Sequence, residues 1–244
     1  MAGSPDRTAT VAVIPAFEEA GAIGPTVRRL PRHAVDRVIV VDGGSADGTV
    51  KEAQEAGALV IRERRRGYGR ACASGAAVAR ALGAEIVLFL DGDGSDAAER
   101  AGDIVGPVGR GEADFVLAHR TASGRAPGSM GIHQVFPGWA FGRLVGVMTG
   151  TTYRDMCAFR ALRLDTLERL GMTELTYGWN LEMQVRAAEA GLRIREVPLP
   201  YGRRTHGHSK VAGNLRGTLR ASARLLAVLV RFTRSRGASR ASPT

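Results

Sequence analysis

Apolar residues along this chain fall into short continuous runs, separated by stretches in which they recur every three or four positions. Thr10–Pro15 (TVAVIP), Arg37–Asp42 (RVIVVD), Ala58–Ile61 and Glu85–Leu90 (EIVLFL) are such runs, rich in β-branched and aromatic types. That is the pattern of strands buried on both faces of a parallel sheet. Between them the spacing predicts a helix from the PAFEE turn (Pro15–Glu19) to about Leu30, a helix over Gly48–Ala56 that Asp47 can cap, and a small-residue helix over Gly67–Ala81. A helix over Ala97–Arg110 and a strand over Asp114–Ala118 follow. The alternation predicts an α/β fold, a mostly parallel central sheet with helices on both faces. The second half is less regular. It reads as a loop over Ser123–Gly131, a helix over Trp139–Met148, strands over Cys157–Arg160 and Arg193–Val197, and a helix over Trp179–Ala190 stopped by Gly191. No internal repeat or linker interrupts it. The expected organisation is one domain over residues 8–211, a C-terminal helix over 212–234, and disordered ends at 1–7 and 235–244.

Composition narrows the classes. With 244 residues, 44% of them apolar, the chain suits one α/β domain with a large core. Its two cysteines, Cys72 and Cys157, stand far apart, which argues against a disulfide framework or a cysteine metal site and fits a reducing cytosol. The first ten residues are polar, and the late apolar run Leu225–Val230 falls well short of the ~20 residues of a spanning helix. A cytoplasmic protein is expected, with at most peripheral contact at the membrane face.

Charge changes the picture at one end only. The net charge is +10. No Asp or Glu follows Glu196, whereas ten Arg or Lys do, so the whole excess sits in the last fifth of the chain. On a helical projection Arg216, Arg220, Arg224, Arg231 and Arg234 fall within an arc of about 80°. Leu215, Leu219, Leu226, Leu229, Val230 and Phe232 lie elsewhere on the circumference. Such a helix can rest on an anionic membrane surface; a packing helix with a solvated arginine face is the plainer alternative.

The candidate chemistry sits where the fourth strand ends, in LDGDGSD. Ligands of open α/β sheets bind at the carboxyl ends of the strands. Asp91 and Asp93, with Gly92 and Gly94 beside them, place two carboxylates there with room for close approach. That arrangement suits a hard divalent cation and the phosphates it bridges.

VIPAFEE, VVDGGSADGT, LDGDGSD, the Arg120 strand end, DMCAFRAL and GWNLEMQVRAAEAGLRIREVPLPY…SK follow in order. Together they resemble a family 2 glycosyltransferase of the GT-A fold, and within it the polyprenyl- or dolichyl-phosphate sugar synthases, over roughly Thr10 to Lys210. The resemblance implies a Rossmann-like nucleotide-binding half, an acceptor half, and metal-dependent, inverting transfer from a UDP- or GDP-sugar to a polyprenyl or dolichyl phosphate. It implies that Pro15, Ala16, Glu19 and Asp42 receive the nucleoside, with Gly92 and the Gly69–Arg70 helix start near the phosphates. Asp91 and Asp93 would hold Mg²⁺ or Mn²⁺; His206 and His208 read as loop residues, with a metal-ligand role for His208 the lesser alternative. Arg120, Arg203, Arg204, Ser209 and Lys210 would hold a lipid phosphate by charge-assisted bonds. A phosphate acceptor needs no general base; a hydroxyl acceptor would, and Glu182 is the candidate.

Alternatives stay open at this stage. A small soluble acceptor fits Ser95, which stands where the lipid-phosphate branch often has Gln. Arg64–Arg66 reads as a solvated loop. A haloacid-dehalogenase-type phosphatase shares the strand–Asp-x-Asp pattern but needs a lysine and a later acidic pair. The chain has only Lys51 and Lys210, and no acid follows Lys210. A nucleic-acid binder is disfavoured because aromatics are 5% and residues 1–196 carry balanced charge.

Overall fold

The computed structural model describes residues 8–125, 132–205, 223, 225–230 and 232. The first half runs β1 (Thr10–Ala16), α1 (Ile23–Arg29), β2 (Arg37–Asp42), α2 (Thr49–Glu55), β3 (Leu59–Arg62), α3 (Tyr68–Ala81) and β4 (Ile86–Phe89). A 3₁₀ turn at Ala98–Arg100 leads into α4 (Ala101–Gly109). There follow β5 (Phe115–Arg125), α5 (Ile132–Thr149), β6 (Arg160–Arg163), α6 (Leu164–Leu170), α7 (Trp179–Glu189) and β7 (Ile194–Tyr201).

The strands form one sheet in the order β3-β2-β1-β4-β6-β5-β7. All ladders are parallel except those of β6, which runs antiparallel to both β4 and β5. Pairing of Ala16 with Asp42, and of Val13 with Phe89, brings the ends of β1, β2 and β4 to one edge. Because β5 is two antiparallel steps from β4, its Arg120 end reaches the same edge.

Alternation along β1 fills both cores. Val11 and Val13 face a layer with α3, α6 and α7; Ala12 and Ile14 face a layer with α1, α2 and α4. The small residues of α3 have a geometric cause. A Cβ on Gly75 would lie 2.3 Å from Val13 Cγ1 and 3.0 Å from Val41 Cγ2, so α3 rests directly on β1 and β2.

Several boundaries differ from expectation. The Cys157–Arg160 run contributes only its last residue to a strand, because the ladder with β4 starts at Arg160. Cys157, Ala158 and Phe159 are buried in the approach to it. β5 continues to Arg125, inside the expected loop over Ser123–Gly131, through pairing with β7. The expected 97–110 helix begins with a 3₁₀ turn, and α6 was not foreseen. Among the described residues, no helix is long and apolar enough to cross a membrane.

Residues 225–230 are helical, and Leu225, Val228, Leu229 and Phe232 are buried in the α3/α7 core layer. The Arg186 guanidinium lies 5.2 Å from the Phe232 ring centroid. Leu229 and Phe232 therefore face the protein; Leu226 and Val230 remain exposed. This corrects the expectation that Leu229 and Phe232 are free to meet a membrane. Arg216, Arg220, Arg224, Arg231 and Arg234 lie outside the described residues.

Gly75→Ala is expected to destabilise the fold by about 1–3 kcal/mol through overpacking. Urea denaturation of Gly75→Ala, Val13→Ala and the double variant checks this: the two changes should offset one another, and strict additivity would show that no clash exists.

Candidate active site

β4 is bounded by parallel β1 and antiparallel β6, so its apolar residues are buried and its tip is held in place. Beyond it the chain turns through Asp91–Asp96. Asp93 is 2% exposed, and its Oδ1 accepts the N–H of Ser95 at 2.9 Å and the Ser95 hydroxyl. Asp96, also buried, accepts the Asp91 N–H at 3.1 Å through Oδ2. Gly94 has φ +79°, and a Cβ there would lie 2.1 Å from Thr205 Oγ1. That space is taken because residues 202–205 close over the turn. Gly202 N–H donates to Ser95 O at 2.8 Å, and Thr205 N–H to Asp93 O at 3.0 Å.

Three carboxylates thus crowd one turn, with electrostatic consequences. Burial, then the charges of Asp96 and Asp93, push the Asp91 carboxyl up to about 8. Burial and Asp93 push Asp96 up to about 6. Arg204 and Arg120 act in the opposite direction on Asp91. Arg204 Nη1 lies 2.9 Å from Asp93 Oδ2. Its approach falls outside hydrogen-bond geometry, leaving that buried oxygen without a hydrogen-bond donor among the described residues.

The turn forms one wall of a cleft of ≈ 370 Å³. Pro15, Ala16, Phe17 and Glu19 line it from the end of β1, and Gly43 from the end of β2. Glu63, Arg65, Arg66, Gly67, Tyr68 and Ala71 line it from the start of α3 and the segment before it. Asp91, Gly92, Asp93, Tyr177 and Arg204 complete it. The PAFEE turn is fixed by the helix opposite: Glu18 N–H donates to Ser45 Oγ, Glu19 N–H to Thr49 Oγ1 and Ala20 N–H to Asp47 Oδ2. Asp47 Oδ1 also accepts the Thr49 N–H at 3.0 Å just ahead of α2, whose N-cap position is Gly48.

Six of the expected nucleotide and metal residues therefore meet at the cleft: Pro15, Ala16, Glu19, Asp91, Gly92 and Asp93. Arg204, expected at the acceptor, joins them. Asp42 does not line the cleft. It is fully buried beside Gly43, and its oxygens accept the N–H groups of Gly44 and Ser45, which shapes the loop. Gly69 and Arg70 do not offer their N–H groups either, since these donate to Thr176 O and Leu175 O. Arg120 is 15% exposed and gives Nε and Nη2 to Asp155 at 2.6 Å each. Burial alone would raise the Asp155 carboxyl, but these bonds hold it below the usual range. Arg120 is thus anchored to Asp155, and acts on the turn through its charge. Ser209, Lys210, His206 and His208 lie outside the described residues.

Glu182 is the clearest correction. It is fully buried, far from the role of a base. Its carboxylate accepts the N–H groups of Thr173 and Glu174, the Thr173 hydroxyl and Arg186 Nε, at 2.6–3.0 Å. It fixes the 173–176 loop, whose carbonyls in turn receive the first N–H groups of α3. Its function here is to position the wall that carries Tyr68 and Tyr177.

Sequence reasoning missed Asp96, although it stands in the same LDGDGSD motif. It also missed Glu63, which hydrogen bonds from Arg65 and Ser74 hold at about 2. Arg64–Arg66 are exposed, as a solvated loop should be, and Arg65 and Arg66 also line the cleft; the Arg66 guanidinium lies 5.4 Å from the Phe17 ring centroid. No pattern marked Phe17 and Tyr177.

The carboxylate turn fits a divalent cation: Asp93 Oδ2 is buried and without a hydrogen-bond donor among the described residues, and burial with the charges of Asp96 and Asp93 disfavours an ionised Asp91 that has no cation beside it. Among the described residues no three His, Cys, Asp or Glu side chains are grouped to hold a metal alone. A cation here would take further ligands from phosphate oxygens or water, the usual habit of Mg²⁺.

Comparison with known proteins shows the family and the fold. The family described as "Glycosyl transferase family 2" matches residues 11–171. An uncharacterised glycosyltransferase of Mycobacterium tuberculosis is 34% identical over 220 residues, covering 86% of this chain and 93% of the relative. The undecaprenyl-phosphate mannosyltransferase of Micrococcus luteus is 30% identical over 217 residues, covering 84% and 88%. Among solved structures, glucosyl-3-phosphoglycerate synthase from Mycobacterium tuberculosis, in complex with Mn²⁺, UDP-glucose and phosphoglyceric acid, has a TM-score of 0.72 at 22% identity. It covers 92% of this chain and 79% of that one. The likeness shows a shared GT-A fold.

The raised carboxyls of Asp91 and Asp96 bind protons in the folded chain that the unfolded chain has already released. Stability without divalent cations should therefore fall as pH rises from the ordinary carboxylate range to about 8. Thermal melts across that window, in chelator, check it. Asp91→Asn should flatten the slope; an unchanged slope would contradict the crowding.

Proposed function

This chain belongs to glycosyl transferase family 2, and on that premise we propose that it moves a hexosyl group from a UDP- or GDP-sugar to a phosphate-bearing acceptor, with polyprenyl phosphate as that acceptor. The observation that carries the reading is the buried carboxylate turn on one wall of a nucleotide-sized cleft.

Breaking the sugar–phosphate bond leaves fresh negative charge on a nucleoside diphosphate. A bound Mg²⁺ or Mn²⁺, held by Asp91 and Asp93, would supply Lewis-acid stabilisation of that charge. Phe17 and Arg66 close the outer cleft, and Pro15, Ala16 and Glu19 form its nucleoside side. Ser95 fixes the rotamer of Asp93, so the carboxylate is oriented before any ligand arrives.

The bases at hand support a phosphate acceptor. Glu182 is spent on the 173–176 loop and Glu63 on Arg65 and Ser74. A phosphate monoester is already an anion and asks neither of them for help. The name of the Micrococcus luteus relative, undecaprenyl-phosphate mannosyltransferase, supports a lipid phosphate. The exposed Leu226 and Val230 would touch a membrane face.

A second reading keeps the donor and replaces the lipid by a small soluble phosphate. The burial of Leu229 and Phe232 favours it, as does the phosphoglyceric acid named with the similar solved structure.

Thermal shifts with UDP and GDP plus Mn²⁺ identify the base, and turnover of the matching sugar nucleotide with undecaprenyl phosphate or phosphoglyceric acid separates the two acceptors. Sugar transfer to undecaprenyl phosphate is expected; transfer to phosphoglyceric acid alone would favour the second reading, and transfer to neither would contradict both. Asp93→Ala should abolish Mn²⁺-dependent stabilisation by the nucleotide while the unliganded melt stays cooperative.

A further inference from the structure

We infer that Arg204 couples the two ligands of this site, so that divalent cation and nucleoside diphosphate enter together rather than independently. The inference rests on the cation reading above and adds a regulation of that same site.

The argument starts from the two oxygens of Asp93. Oδ1 is taken by the N–H and the hydroxyl of Ser95. Oδ2 is the oxygen left for a cation, and Arg204 Nη1 lies 2.9 Å from it. A guanidinium and a divalent ion at contact with one carboxylate oxygen repel each other strongly in a partly buried setting, where screening by water is weak. A cation arriving alone must therefore displace a bound positive charge.

The backbone around Arg204 is held by hydrogen bonds, while its side chain is held at Asp93 by an ion pair alone among the described residues. Gly202 and Thr205 are pinned to Ser95 O and Asp93 O. The Thr205 hydroxyl adds a bond to Asp93 O at 3.3 Å. The Arg204 side chain is 33% exposed and lines the cleft. It can leave Asp93 by rotation alone, without opening the loop. Once displaced, it faces a cleft into which a diphosphate brings several negative charges, and a guanidinium pairs with phosphate oxygens in a two-pronged geometry. The diphosphate thus both ligates the cation and takes over the arginine that blocked it. Each ligand removes an obstacle to the other, and linkage makes the effect reciprocal.

Mn²⁺ titration of the full chain, by electron paramagnetic resonance of free Mn²⁺, tests this with the metal alone and with saturating UDP or GDP. The wild type should bind Mn²⁺ alone at least about fivefold more weakly than with the better nucleotide. Arg204→Gln should tighten binding of Mn²⁺ alone by a similar factor and shrink the nucleotide effect. Arg204→Lys, which keeps the charge, should behave as wild type. Arg37→Gln removes an exposed positive charge at the start of β2 and should leave Mn²⁺ binding unchanged. Equal tightening by Arg37→Gln and Arg204→Gln, or none by Arg204→Gln at an unchanged melting temperature, would overturn the inference. So would a wild type whose Mn²⁺ affinity is the same with and without nucleotide, a result that needs no variant to fold. If Mn²⁺ binds under no condition, the cation reading itself falls.

Discussion

The burial and close approach of Asp91, Asp93 and Asp96 in one turn is the constraint on which the cleft depends. Three carboxylates share six residues at the tip of a strand bounded on both sides, and burial with neighbouring charge raises two of them, Asp91 and Asp96. Their neighbours are placed to limit the cost of ionising them. Ser95 binds Asp93, the Asp91 N–H binds Asp96, and the charges of Arg120 and Arg204 approach from the acceptor half. These are local bonds and screened charges; none cancels the crowding. A divalent cation at the turn would offset the cost of ionising these carboxyls.

The supporting frame is built from polar groups that never reach the cleft. Glu182 ties down the 173–176 loop, and that loop receives the first N–H groups of α3. Arg160, fully buried, donates to the carbonyls of Cys157 and Asn180 and so links the approach to β6 with the start of α7. Arg120 and Asp155 join the end of β5 to the same approach. Each holds a loop at a fixed height above the sheet. A buried hydrogen-bonded charge suits this purpose because leaving its partner unpaired costs several kcal/mol.

Much of this was legible in the residues. β2 lies where RVIVVD put it, because an uninterrupted apolar run ending in an acid admits few alternatives. The first four strands and the three helices between them followed for the same reason. The carboxylate turn was legible as chemistry because acids directly after a buried strand are expensive without a partner. What failed to show was direction. Glu182 and Asp42 are acids in suggestive motifs, yet their oxygens are consumed by backbone N–H groups that no spacing reveals. Cys157–Phe159 is apolar enough for a strand but enters as an approach, since register with β4 decides where pairing begins. The apolar side of residues 225–232 matched a membrane surface equally well, until Val228 and Phe232 were seen packed on Gly178 and Arg186.

The most direct test of the account is crystallographic. Crystals grown or soaked with Mn²⁺ and the nucleoside diphosphate that stabilises the protein should give an anomalous difference peak at the manganese edge between the carboxylates of Asp91 and Asp93, in contact with the diphosphate. A peak elsewhere, or ordered nucleotide in the cleft with no peak at that turn, would contradict it.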